Sequence, residues 1–165
     1  RARAIPGPPP RHALTRQAIY KSLLVRERRT LHLTIGTVSE ELYVTSLSAH
    51  VSDLAYHFFE AEIWSKALDY SRQAGERALV LFTPQAAVEH FKRAIHSALQ
   101  LEEMNALATL YQARGQANDH LGNFETSRLD YMAALEIATA KGDTAHIWSS
   151  LNAIGFLWAA RKCIV

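Results

Sequence analysis

One stretch of this chain is echoed by a later one at a fixed interval. Phe91, Ala94, Ala98 and Gly115 recur as Tyr131, Ala134, Ala138 and Gly155, each 40 residues on. An interval of this size marks a helical repeat array, in which one unit cannot bury its apolar face alone and must stack on its neighbour. Such arrays usually present a surface. The first expectation is therefore a binding or relay module and not an enzyme.

Helical spacing extends well beyond the echo. Leu14, Ala18, Ile19, Leu23 and Leu24 define a helix over His12 to Leu24. A second is expected from Glu27 to Tyr43, burying the stripe Leu31, Ile35, Val38 and Leu42. Gly36 falls inside it at a cost of about 1 kcal/mol relative to alanine. Further helices are expected near 48–60, 63–82, 84–101, 104–121, 124–141 and 144–161. Ser48 is placed as a cap, Thr83–Pro84 as a start signal, and Gly122–Asn123 and Gly142–Asp143 as turns. No segment alternates in the manner of a strand.

Close-packed helices need small residues where their axes approach. Ala67 and Ala74, Ala87 and Ala94, and Ser127 and Ala134 supply them, seven apart on three helices. Tyr70, Phe91 and Tyr131 are read as filling the space between layers. Gly115 and Gly155 are read as sites where a side chain would hold neighbours apart. The fold class is all-α: a right-handed solenoid of antiparallel helix pairs preceded by a two-helix basic segment.

Charge is uneven along the chain. Residues 1–29 hold eight of the 18 Lys and Arg but one of the 16 acids, Glu27. A basic head of this kind can meet nucleic acid, an acidic partner or an adjoining domain. The adjoining domain is favoured, with Arg16, Lys21, Arg28 and Arg29 as the contact residues. The segment is not expected to bind DNA, because its second helix carries few side chains suited to base edges. The single cysteine, Cys163, excludes an internal disulfide and a cysteine zinc site and points to a reducing, cytoplasmic setting. No apolar run approaches the ~20 residues of a membrane span.

Motifs for chemistry are missing from the sequence. It has no Gly-x-x-x-x-Gly-Lys-Ser/Thr loop, no His-Glu-x-x-His and no Gly-x-Ser-x-Gly elbow. His50 and His57 share a helix face and could reach a metal with Glu60, but separate packing or surface roles are favoured. Tyr56, Phe58, Phe59 and Trp64 could frame a pocket, with core packing the favoured reading. No catalytic residue, cofactor or metal is expected.

The region from about Leu47 to Arg161 resembles tetratricopeptide repeats. Gly115, Gly122, Ser127, Tyr131 and Ala134 fall at that family's small, turn-glycine, small, aromatic and alanine positions, and Val51, Leu54, Ala55, Phe58, Ala67 and Ala74 fit a preceding unit. Ser127 stands in for the usual alanine and Arg114 for a common leucine. A second resemblance is carried by residues 11–24 (RHALTRQAIYKSLL), Arg28 to His32, Ala49-His50, Ala55 to Phe58, Trp64 to Tyr70 and Ala74 to Ala78. Together they look like bacterial signal-transduction ATPases, including LuxR-type regulators and relatives carrying adenylate-guanylate cyclase domains. There the order is ATPase, winged-helix arm, then repeat array.

Pro6, Pro8, Pro9 and Pro10 with Gly7 mark a Pro-rich linker over 1–10, and these resemblances imply the end of an ATPase arm over 11–45 and a truncated repeat array over 46–165. They imply binding through the concave face of the array. That face is expected to offer Ser52, Tyr56, Thr109, Gln112, Gln116, Asp119, Ser149, Asn152 and Phe156. The set lacks the Lys/Asn clamp that similar repeats use for acidic C-terminal tails. The expected function is a non-catalytic sensor or scaffold whose partners are a protein or small-molecule effector and an upstream ATPase domain of the same chain. Self-association is expected through an apolar face near Ile154, Leu157 and Trp158. The alternative is a DNA-binding regulator whose basic N-terminal helices contact DNA and whose repeats dimerise.

Overall fold

Seven helices and no strand make up residues 24–162, the part of the chain that the computed structural model describes, with side chains described as far as Ala159. They are α1 (Val25–Leu42), α2 (Leu47–Glu60), α3 (Trp64–Val80), α4 (Pro84–Gln100), α5 (Met104–His120), α6 (Phe124–Lys141) and α7 (Thr144–Lys162). The expected helix over 12–24, the linker over 1–10, Arg16, Lys21 and Cys163 lie outside the described residues. The other seven helices fall within a few residues of their expected bounds.

From α3 onward the chain keeps a 20-residue beat. Trp64, Pro84, Met104, Phe124 and Thr144 open successive helices. One turn geometry recurs between them. Glu62, Phe82, Glu102, Gly122 and Gly142 all take a left-handed backbone, with φ of 57°, 52°, 56°, 75° and 68°. The amide after each donates to the carbonyl five residues back: Ile63 to Phe58, Thr83 to Ala78, Glu103 to Ala98, Asn123 to Asn118 and Asp143 to Ala138. This Schellman arrangement satisfies carbonyls that the helix end leaves open. Glycine adopts the left-handed form freely at 122 and 142. Glu62, Phe82 and Glu102 each hold it at a cost of about 1–2 kcal/mol.

One cap differs from expectation, and a second stands where expected without a side-chain cap bond. The N-cap of α2 is Ser46, and Ser48 sits inside the helix. Thr83 does precede Pro84 at the start of α4, but its Oγ1 donates to the Ala78 carbonyl at 3.0 Å and caps no amide. The hydroxyl therefore reinforces the end of α3.

Each helix packs chiefly on its neighbours in sequence, with lighter contact to the next but one. Ala67, Ala74, Ala87, Ala94, Ser127 and Ala134 are all buried, as the sequence expects. A shared core joins α3, α4 and α5 through Leu68, Ala87, Phe91, Ile95, Leu107 and Leu110. Glycines make the closest approaches. A Cβ on Gly75 would lie 2.7 Å from the Phe91 ring, one on Gly115 would lie 2.8 Å from Tyr131, and one on Gly36 would lie 3.2 Å from Phe58. In each case a ring on one helix presses on bare backbone of the helix before it. Gly155 departs from this. Nothing stands within 4 Å of the Cβ it lacks.

The first and last described helices correct two further expectations. In α1 the buried residues are His32 and Gly36, while Leu31, Ile35, Val38 and Leu42 are exposed. Polar ties turn that face inward: Glu40 accepts hydrogen bonds from Lys66 and from the Tyr70 hydroxyl, and His32 meets His57. In α7, Leu157 is buried and Ile154 half-buried, so neither belongs to the outward face, which is Trp148, Leu151, Gly155 and Trp158. Among the described residues no helix is long and apolar enough to cross a membrane.

The glycine contacts predict opposite outcomes for the same substitution. Gly115→Ala should destabilise the fold by about 1–3 kcal/mol through overpacking against Tyr131. Gly155→Ala should be neutral or gain up to about 1 kcal/mol in helix propensity. Chemical denaturation of the two variants in dilute solution reads both. Equal losses would contradict the contact picture.

Candidate functional site

The widest agreement between expected site residues and structure lies between α5 and α7. Thr109, Gln112, Ala113 and Gln116 of α5 face Ser149 and Ala153 of α7 across a groove of about 420 Å³, with Tyr131 of α6 also lining it. The Tyr131 ring reaches this position because Gly115 leaves room for it. None of the lining side chains is charged.

A short polar network fixes the width of the groove. The Gln112 amide nitrogen donates to the His146 carbonyl at 3.1 Å and to Ser150 Oγ at 2.8 Å. Thr109 Oγ1 lies 3.1 Å from His146 Nε2. His146 is held in turn by Asp143, whose carboxylate meets the ring Nδ1 at 2.8 Å and the backbone amide at 3.2 Å. Hydrogen bonds from the His146 backbone and ring hold the Asp143 carboxyl below its ordinary value. Thr109 and Gln112 thus join α5 to α7 as well as line the groove. Gln116 and Ser149 are exposed on its walls.

The α5–α6 pair beneath is locked by an ion pair between half-buried Arg114 and buried Asp130. Arg114 donates from Nε and Nη2 to the two Asp130 oxygens at 3.0 and 2.6 Å, and Asn118 donates to the same carboxylate at 3.1 Å. Arg114 is thus held at this interface by its pairing with Asp130. Ser127 Oγ donates to the Gly115 carbonyl at 2.8 Å, a contact that an alanine in its place could not make. Burial pushes the Tyr131 hydroxyl above its ordinary pKa, so the ring at the groove stays neutral.

The remaining expected residues do not line this groove. Asp119, Asn152 and Phe156 lie beyond its lining. Ser52 and Tyr56 are on α2, where Tyr56 sits edge-on to His32 and under the Arg93 guanidinium of α4. Phe58 is fully buried and stacks on Tyr70, while Phe59, Trp64 and His96 pack edge to face. The lining residues that sequence reasoning did not assign to the surface are Tyr131, Ala113 and Ala153. The change from Phe91 to Tyr131 across the repeat was a usable signal, because it adds a hydroxyl to an otherwise equivalent ring.

His50 and His57 do not converge. His50 stacks on Tyr43 with ring centroids 3.7 Å apart, and His57 Nδ1 lies 2.9 Å from His32 Nδ1. Among the described residues no three metal-capable side chains gather. Of the basic residues, Arg29 pairs with Glu62 in the α2–α3 turn, and Arg28 is half-buried.

The His32–His57 contact is pH-sensitive. Burial lowers the pKa of both rings, with Arg28 adding to the effect at His32 and the His32 charge adding at His57, against opposing pulls from Glu60 and Asp53. Folded, the rings resist a proton that the unfolded chain accepts near pH 6.5. Docking of α1 on α2 should therefore be full above about pH 6.5 and weaken as the pH falls through the lowered values. Hydrogen exchange of the α1 amides from pH 8 to 5 should show protection falling with acid, after correction for the intrinsic rate. A flat profile would contradict it. No family model, curated protein or solved structure matches this chain.

Proposed function

We propose that this chain is a tetratricopeptide-like solenoid of antiparallel helix pairs that binds an extended, uncharged polar segment in the groove between α5 and α7. The observation that carries the reading is the convergence of Thr109, Gln112, Gln116 and Ser149 around Tyr131. Connections of two or three residues between α2 and α7 favour reversal of direction at each turn. A hydrophobic ring flanked by amides and hydroxyls suits a peptide backbone, because a glutamine side chain can both donate and accept. The absence of charge in the lining argues against acidic tails and phosphate groups as ligands.

Within a larger protein the array would act as sensor or scaffold of a signalling ATPase or transcriptional regulator. The exposed apolar side of α1, Leu31, Ile35 and Val38, supports packing against an adjoining segment on that flank. The pairing of Arg29 with Glu62 weighs against the DNA-binding alternative, since it occupies one of the cations that would meet phosphate. The role assigned here is binding, with no reaction performed by this chain.

Selection of a displayed library of random extended peptides against the chain tests the proposal. Peptides recovered on the native protein should lose at least about tenfold in affinity, roughly 1.4 kcal/mol, on Ser149→Arg, which crowds the groove from an exposed wall position. Peptides that bind equally well to the variant would place recognition elsewhere and overturn the reading.

A further inference from the structure

The repeat predicts what should lie on the outer face of α7. In α3 the residues Leu68, Ser71, Gly75 and Ala78 face inward and are buried. Forty residues on, Ala108, Tyr111, Gly115 and Asn118 of α5 are buried or half-buried. The same positions in α7 are Trp148, Leu151, Gly155 and Trp158. They are exposed, the two tryptophans at 67% and 59% and Leu151 at 44%. A surface that is internal in two repeats is here open, and it carries the largest side chains of the three.

Two features say what covers it. First, the stripe is symmetric about Ala153: the tryptophans lie five residues to either side, and Leu151 and Gly155 lie two to either side. Laid antiparallel on a second α7, Trp148 would oppose the partner's Trp158, and Leu151 would enter the space that Gly155 leaves. This is the self-complementarity a twofold interface demands, with the same patch used by both copies. The 3-4-3 spacing is that of a helix–helix seam. Second, no Asp, Glu, Lys or Arg occurs from Thr144 to Ala160, so the seam between the two stripes sets no like charges together.

We infer that the chain forms a symmetric dimer through α7, with antiparallel helices crossing between Leu151 and Gly155 and Leu151 seated against Gly155 in both directions. The α5–α7 groove opens on the Ser149 and Ala153 side of α7 and is left clear, so the inference stands apart from the peptide-binding proposal. Trp158 also borders a second groove of about 420 Å³, lined by Gly122, Phe124, Arg128 and Leu157 among others, which widens the surface available to the opposing tryptophan. Two tryptophans and a leucine per copy are a small interface beside the roughly 1,200–2,000 Å² of a stable complex, so the affinity should be micromolar.

Sedimentation of the chain across about 1–300 μM tests this. The expected result is a monomer–dimer equilibrium that saturates at the dimer. Leu151→Glu and Gly155→Lys should each weaken it at least tenfold, with helical content unchanged by circular dichroism. Mixing the two variants should restore a heterodimer, because position 151 of one copy meets 155 of the other. A monomer at every concentration would overturn the inference and leave the face to a different helix. Growth beyond the dimer would overturn it by showing α7 on an unlike surface, such as the exposed side of α1. Dimerisation without rescue on mixing would refute the antiparallel register.

Discussion

Bare backbone pressed by an aromatic ring is the contact on which the rest of this structure depends. Phe58 lies on Gly36, Phe91 on Gly75 and Tyr131 on Gly115. Removing the Cβ lets two helix axes approach, and the ring then fills the space that a pair of larger side chains would otherwise share. The buried alanines at 67, 74, 87, 94 and 134 serve the same end over the rest of each interface. Close approach also brings backbone within reach of side-chain donors, as where Ser127 donates to the Gly115 carbonyl. The α5–α7 groove follows from this, because Tyr131 lines it from above Gly115.

Polar groups specify what the apolar packing leaves undecided. Asp130 gathers Arg114 and Asn118 and so fixes how α5 lies on α6. Glu40 gathers Lys66 and Tyr70 and so ties α1 to α3. Burial alone would raise the pKa of Glu40, yet the hydrogen bonds from Lys66 and Tyr70 together with the Lys66 charge hold it below its ordinary value. An ion pair broken on one side when buried is costly, about 3–5 kcal/mol, so the Asp130 cluster guards one geometry against neighbouring ones. Such ties account for α1 turning its polar side inward although its outer side is the more apolar.

Much of the helical pattern was legible because small and aromatic residues recur at 40. The left-handed turn shared by its boundaries was not, and the reason is physical. A left-handed turn residue is visible in sequence only as glycine, and three of the five such positions are Glu62, Phe82 and Glu102. The burial of α1 was misjudged because apolar spacing marks the inward face only when hydrophobic contact decides it. At α1 the Gly36–Phe58 approach and the Glu40 and His32 contacts decide. In the groove, Thr109, Gln112, Gln116 and Ser149 were foreseeable from register, whereas Tyr131 looked like a spacer until its ring was seen to line the groove. Gly155 looked like the glycines before it, but the aromatic partner that would confirm the likeness lies on no described helix.

A double-mutant cycle on one socket tests the governing contact most directly. Gly75→Ala, Phe91→Leu and the double variant would be compared by denaturant unfolding. The Gly75–Phe91 contact predicts that Gly75→Ala costs about 1–3 kcal/mol with Phe91 in place and at least about 1 kcal/mol less once the smaller leucine makes room. Additive losses, equal within about 0.5 kcal/mol, would show that the ring and the glycine do not depend on each other and would contradict the packing rule on which the fold is built.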